Sequence, residues 1–141
     1  MKNTLLRSST VVVLEHAVLI LPHGIAHAAE HATLPAAANA FVAIVIVAAP
    51  LVALGLLWSR LRWLGGLLLL ASMLAALLFG IVFHYMLPGT DYVAHIPAGP
   101  WQLPFQLTAG LLALSETVGA AIGGWILYCL SRAPSDTGIR A

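Results

Sequence analysis

Charge is what this sequence has least of. Only 8% of its 141 residues are Asp, Glu, Lys or Arg, where a soluble domain carries about 25%. The formal net charge is +1 and no basic cluster occurs, so nothing in the chain suits nucleic acid. Cysteine is nearly absent: the single Cys129 excludes an internal disulfide and a cysteine-based zinc site. No phosphate loop and no Ser/His/Asp set stands out, so no catalytic motif is visible.

Apolar residues fill the space that charge leaves. They make up 61% of the chain, with a mean hydropathy of +0.99. Marking the helix breakers leaves four apolar segments, roughly residues 10–31, 40–58, 64–87 and 102–130. Each meets the requirement of about 20 residues for a membrane-spanning helix. The separators "TLPAAAN", "SRLR" and "PGTDYVAHIPAGP" read as loops, and residues 131–141 as a polar tail. The expected fold is an all-α integral membrane protein of the cell membrane. It is a single multi-pass domain, a bundle of four transmembrane helices in the lipid bilayer.

The basic residues orient it. Lys2 and Arg7 precede the first span, Arg60 and Arg62 lie between the second and third, and Arg132 and Arg140 follow the fourth. All fall on one side, which the positive-inside rule makes cytoplasmic. Both termini are then inside, and the loops near 32–39 and 88–101 face outward. Trp58, Trp63, Trp125 and Tyr128 mark the inner interface; Tyr85, Tyr92 and Trp101 mark the outer one. The N-terminal stretch also has the outline of a signal peptide ending in Ala-His-Ala, with cleavage after Ala28. Glu15 and His16 interrupt its apolar region, so the expectation is that it stays attached as the first helix.

Against this background "PHGIAHAAEH" is conspicuous. His23, His27 and His31 fall at i, i+4 and i+8, one side of a helix, with His16 extending the stripe and Glu30 beside it. Pro22 with Gly24 is expected to bend this helix, and Pro50 the second, by freeing backbone carbonyls. Polar groups at membrane depth are costly and mark cavities, ligands or ion paths. Glu116 falls in the middle of the fourth segment. It shares a face with Ala109, Ala113, Ala120 and Gly123, and Gly119 and Gly123 form a GxxxG spacing. Small residues admit a partner helix closely, so Glu116 is expected to face the bundle near His23.

Antiparallel threading puts His84, near the end of the third segment, at the depth of His27. The following loop can fold Asp91 and His95 over them. Imidazole suits Zn, Cu, Fe and Ni, and two histidines can clamp a haem iron. The leading expectation is a transition metal (Cu, Zn or Fe) or a single haem b in the outer half of the bundle, serving binding or electron transfer. His27 and His84 are the axial pair in the haem version. His23, His27, His31, His84 and His95 are the metal-ligand candidates, and His16, Glu30, Asp91 and Glu116 are second-shell or proton-path groups. Protons compete for neutral imidazole, so binding is expected to weaken below pH of about 6.5. The alternatives are transport of protons or a divalent metal along His16, His23, Glu116, His27 and His31, and a non-catalytic subunit of a larger membrane complex. Transport would call for a homo-oligomer or a larger assembly.

Overall fold

The computed structural model describes residues 3–132. They form four long helices: α1 (Asn3–Ala29), α2 (Ala36–Leu57), α3 (Arg62–Met86) and α4 (Gln102–Ser131). All four are long and apolar enough to cross a membrane. The tail expected at 131–141 falls almost wholly outside the described residues. α1 begins well before the apolar window at residue 10, because its first turns also have partners. Leu6 and Ser9 are buried, Leu6 packs with Leu57 and Ile126, and Thr10 accepts a hydrogen bond from Trp58 Nε1 at 3.2 Å. These contacts gather the start of α1, the end of α2, the start of α3 and the end of α4 at one end of the bundle. Arg7, Arg60, Arg62 and Arg132 all belong to that basic end.

Close helix crossings there rest on glycine. A Cβ at Gly123 of α4 would lie 2.7 Å from the backbone nitrogen of Leu70 on α3. One at Gly119 would lie 2.8 Å from Met73 Cγ, and one at Gly65 would lie 2.7 Å from the backbone nitrogen of Leu57. The small-residue face of α4 is thus a packing surface against α3. Around it Val13, Ala53, Leu57, Leu69, Met73 and Ile126 form an apolar core with no solvent exposure. Large apolar side chains such as Val11, Val18, Leu21, Ile44 and Leu114 point outward and are more than half exposed.

Two helices depart from α geometry. In α2 residues Val42–Ala48 are π-helical, just before Pro50. Proline has no N–H, so the carbonyl four residues earlier, Ile46 O, loses its regular donor. His16 of α1 lies 3.1 Å from that oxygen through Nε2 and donates to it. His16 is 1% exposed, and its role is to satisfy a buried carbonyl that proline leaves free. In α3 the last turn, Ile81–Met86, is π-helical and carries His84. Its closing bond runs from Leu87 N–H to Val82 O, five residues back, at 2.8 Å. π turns of this kind often occur at functional sites. α1 continues as helix through Pro22.

The opposite, distal end is closed by the connection between α3 and α4. Val93 N–H donates to His84 O at 3.0 Å. Gln106 Nε2 donates to Val93 O at 3.0 Å and Gln102 Nε2 to Ile96 O at 3.3 Å, so the first turns of α4 hold the loop down. Ile96 joins Ala26, Ala32 and Phe105 in a second apolar cluster.

Candidate metal centre

Between the two apolar clusters, all four helices line a cavity of about 350 Å³. His23 and His27 enter it from α1, His84 from α3 and Glu116 from α4, with Asp91 from the loop. His23, His84, Asp91 and Glu116 are buried and His27 is half-buried. One ring nitrogen from each of His23, His27 and His84 lies within 4.8 Å of the others.

The hydrogen bonds assign the ring protons. His84 Nδ1 is 2.9 Å from the backbone oxygen of Asp91, which can only accept, so the proton sits on Nδ1. His27 Nδ1 faces two acceptors, Ala32 O at 3.3 Å and Asp91 Oδ1 at 3.1 Å. His23 Nδ1 is 2.9 Å from Thr108 Oγ1, whose own proton has two backbone acceptors, Pro104 O at 2.7 Å and Phe105 O at 3.1 Å. With that proton on a carbonyl, each imidazole gives its Nδ1 proton outward and keeps a lone pair on Nε2. The Asp91 carboxylate is both close and unbonded: Oδ1 and Oδ2 lie 3.1 Å and 3.4 Å from His27 and His84 Nδ1, yet neither oxygen has a hydrogen bond of good geometry. We read this as electrostatic support, since the His84 Nδ1–H is aimed at a backbone oxygen.

The three Nε2 atoms converge. His23 Nε2 lies 3.1 Å from His27 Nε2 and 3.3 Å from His84 Nε2. Lone pairs at that separation repel unless something positive stands among them. A single proton on His23 Nε2 would serve only one of its two neighbours, whereas a metal ion serves all three. A tetrahedral zinc with Zn–N of about 2.0–2.1 Å sets its ligand nitrogens about 3.3 Å apart. Metal-bound histidines also characteristically donate the other ring proton to a carbonyl or carboxylate, which fixes their tautomer. The ring of Phe105 packs beside all three, with centroid distances of 5.2, 4.8 and 5.4 Å to His23, His27 and His84.

This arrangement changes the roles expected of several residues. His27 and His84 do not stand as an isolated axial pair, because His23 Nε2 lies 3.1 Å and 3.3 Å from their Nε2 atoms. His31 leaves the stripe because α1 ends at Ala29; its backbone turns to φ 53° and its side chain is exposed. His95 is also exposed, its ring packed edge-on to Tyr92 at 4.8 Å, so of the two polar loop candidates Asp91 folds inward and His95 does not. Glu30 and His16 do not line the cavity. Glu116 faces the bundle, 5% exposed. It lines the same cavity as His23 and reaches α3 as well: a Cβ at Gly80 would lie 3.9 Å from Glu116 Oε2 and 3.9 Å from His84 Cδ2.

Sequence reasoning missed Thr108 and Phe105. Their signal was present, since Thr108 and Phe105 lie eight and eleven residues before Glu116, on the same side of α4. No known family model, curated protein or solved structure matches the chain.

Proposed function

We propose that this is a multi-pass membrane protein that binds one transition-metal ion through His23, His27 and His84. The observation that carries the reading is the convergence of three Nε2 lone pairs at 3.1 Å and 3.3 Å, each ring anchored through Nδ1. Zinc, copper and iron are the metals that imidazole suits, and the two Nε2 separations are compatible with zinc. Transport along a His/Glu path has less support. His16 is engaged by Ile46 O away from the cavity, and Leu69, Met73 and Ile126 pack between the cavity and the basic end.

Elemental analysis and an absorption spectrum of the detergent-purified full chain test this. About one transition-metal ion per chain is expected, without a haem band. The ion should be lost to a chelator, and also on acidification, because protons compete with the metal for the imidazole lone pairs. Metal-free protein at neutral pH that takes up no added zinc, copper or iron, or a haem spectrum, would overturn the reading.

The positive-inside rule further places both termini in the cytoplasm and the histidine site in the outer half of the bilayer. In a Cys129→Ala background, His95→Cys should react only with reagent added outside and Leu61→Cys only with reagent from the cytoplasm. The reverse pattern overturns the orientation.

A further inference from the structure

Three histidines leave a tetrahedral ion one position short. Structural zinc sites close that position with a fourth protein ligand, whereas exchanging sites leave it to water or substrate. Among the described residues no fourth His, Cys, Asp or Glu joins the group whose ligand atoms all lie within 4.8 Å of one another. Asp91 lies behind the rings, on their Nδ1 side. Glu116 lies in front, across the space beside Gly80, which has no side chain to fill it. The walls between are apolar, including Ile20, Val42, Phe79 and Leu112. On the α1 side the cavity is lined by Gly24 and Ala28, both exposed, so it has a mouth between α1 and α2.

Charge narrows what can enter. A divalent ion on three neutral imidazoles brings two positive charges into a low-dielectric interior, where unpaired charge is costly. Asp91 and Glu116 are the two carboxyls beside the site, one behind the rings and one across the cavity from them. A bound divalent ion favours both as carboxylates; the centre is then neutral overall, and an anionic ligand would bring an uncompensated charge up to Glu116.

Taking the metal reading above as its basis, we propose that the centre is open to ligand. Its fourth position faces the cavity and takes an exchangeable neutral donor, water at rest, whose O–H or N–H is accepted by Glu116. The ligand class is a molecule with one such donor head and an otherwise apolar body, entering between α1 and α2.

The test uses the full chain in detergent loaded with Co²⁺, whose visible bands report ligand exchange. Imidazole, a neutral donor, is expected to shift the bands saturably, and azide, an anion, to bind about tenfold or more weakly because of the Glu116 charge. Gly80→Ala places a methyl at ordinary contact distance and should keep both the ion and the response. Gly80→Val fills the space and should keep Co²⁺ but lose the response. As an independent arm, Glu116→Gln should retain Co²⁺ and move the preference toward azide. The proposal is overturned if wild-type bands ignore imidazole, if imidazole strips the ion instead of joining it, or if the response survives in Gly80→Val. An unchanged preference in Glu116→Gln overturns it equally. A wild-type chain that takes up no Co²⁺ removes the metal reading itself, and this inference with it.

Discussion

Replacing His23 by alanine should empty the metal centre. His23 is the middle ligand, with its Nε2 next to the Nε2 of both His27 and His84, so its loss leaves two rings with no shared partner between them. We expect metal affinity to fall by more than about 100-fold, beyond the roughly 10–100-fold effect of losing an outer-shell group. His27→Ala and His84→Ala should behave alike. Asp91→Asn, which keeps the loop and removes the charge behind the rings, should fall within that 10–100-fold range. His16→Ala is the contrast. It should leave affinity within a few-fold and lower stability by about 1–3 kcal/mol, because a buried carbonyl loses its donor. Isothermal titration with zinc, alongside circular dichroism for helix content, separates these outcomes. Equal affinity in wild type and His23→Ala would refute the site.

The second large effect belongs to the basic end. A side chain at Gly123 meets backbone, not a movable side chain: its Cβ would stand 2.7 Å from Leu70 N and 2.9 Å from Leu70 Cα. α3 and α4 must separate to admit it. Gly123→Ala should cost about 1–3 kcal/mol as an overpacked core does, and Gly123→Leu should prevent assembly of the bundle. Gly124, one residue on, has nothing within 4 Å. Gly124→Ala should therefore be neutral or gain up to about 1 kcal/mol from helix propensity. Thermal unfolding followed by circular dichroism compares the three variants. A Gly123→Leu chain as stable as wild type would mean that the α3–α4 contact is not what the geometry indicates.

These two regions differ in how far the sequence exposed them. Apolar windows and loop breakers are local signals, so four long helices were legible, as was the small-residue face around Gly119 and Gly123. Threading them antiparallel was enough to bring His27 and His84 to one end. The exact ligand set was less accessible. His31 follows the i+8 spacing on paper, but spacing does not say where a helix stops, and α1 stops at Ala29. His95 depended on a loop conformation that Gln102 and Gln106 impose through backbone contacts. The centrality of His23 depended on Thr108, which lies 85 positions away in the chain. Of the two π stretches, the one in α2 precedes Pro50, a local signal, whereas the turn at Ile81–Met86 carries no such marker.

The π turn at Ile81–Met86 has a genetic consequence. His84 sits inside it, and each of its ladder bonds spans five residues where an α-helix spans four. Deleting one codon within Ile81–Met86 would favour regular α geometry there and re-aim the imidazole, with every other histidine intact. The three-histidine set therefore depends on the length of this turn as well as on the identity of its residues.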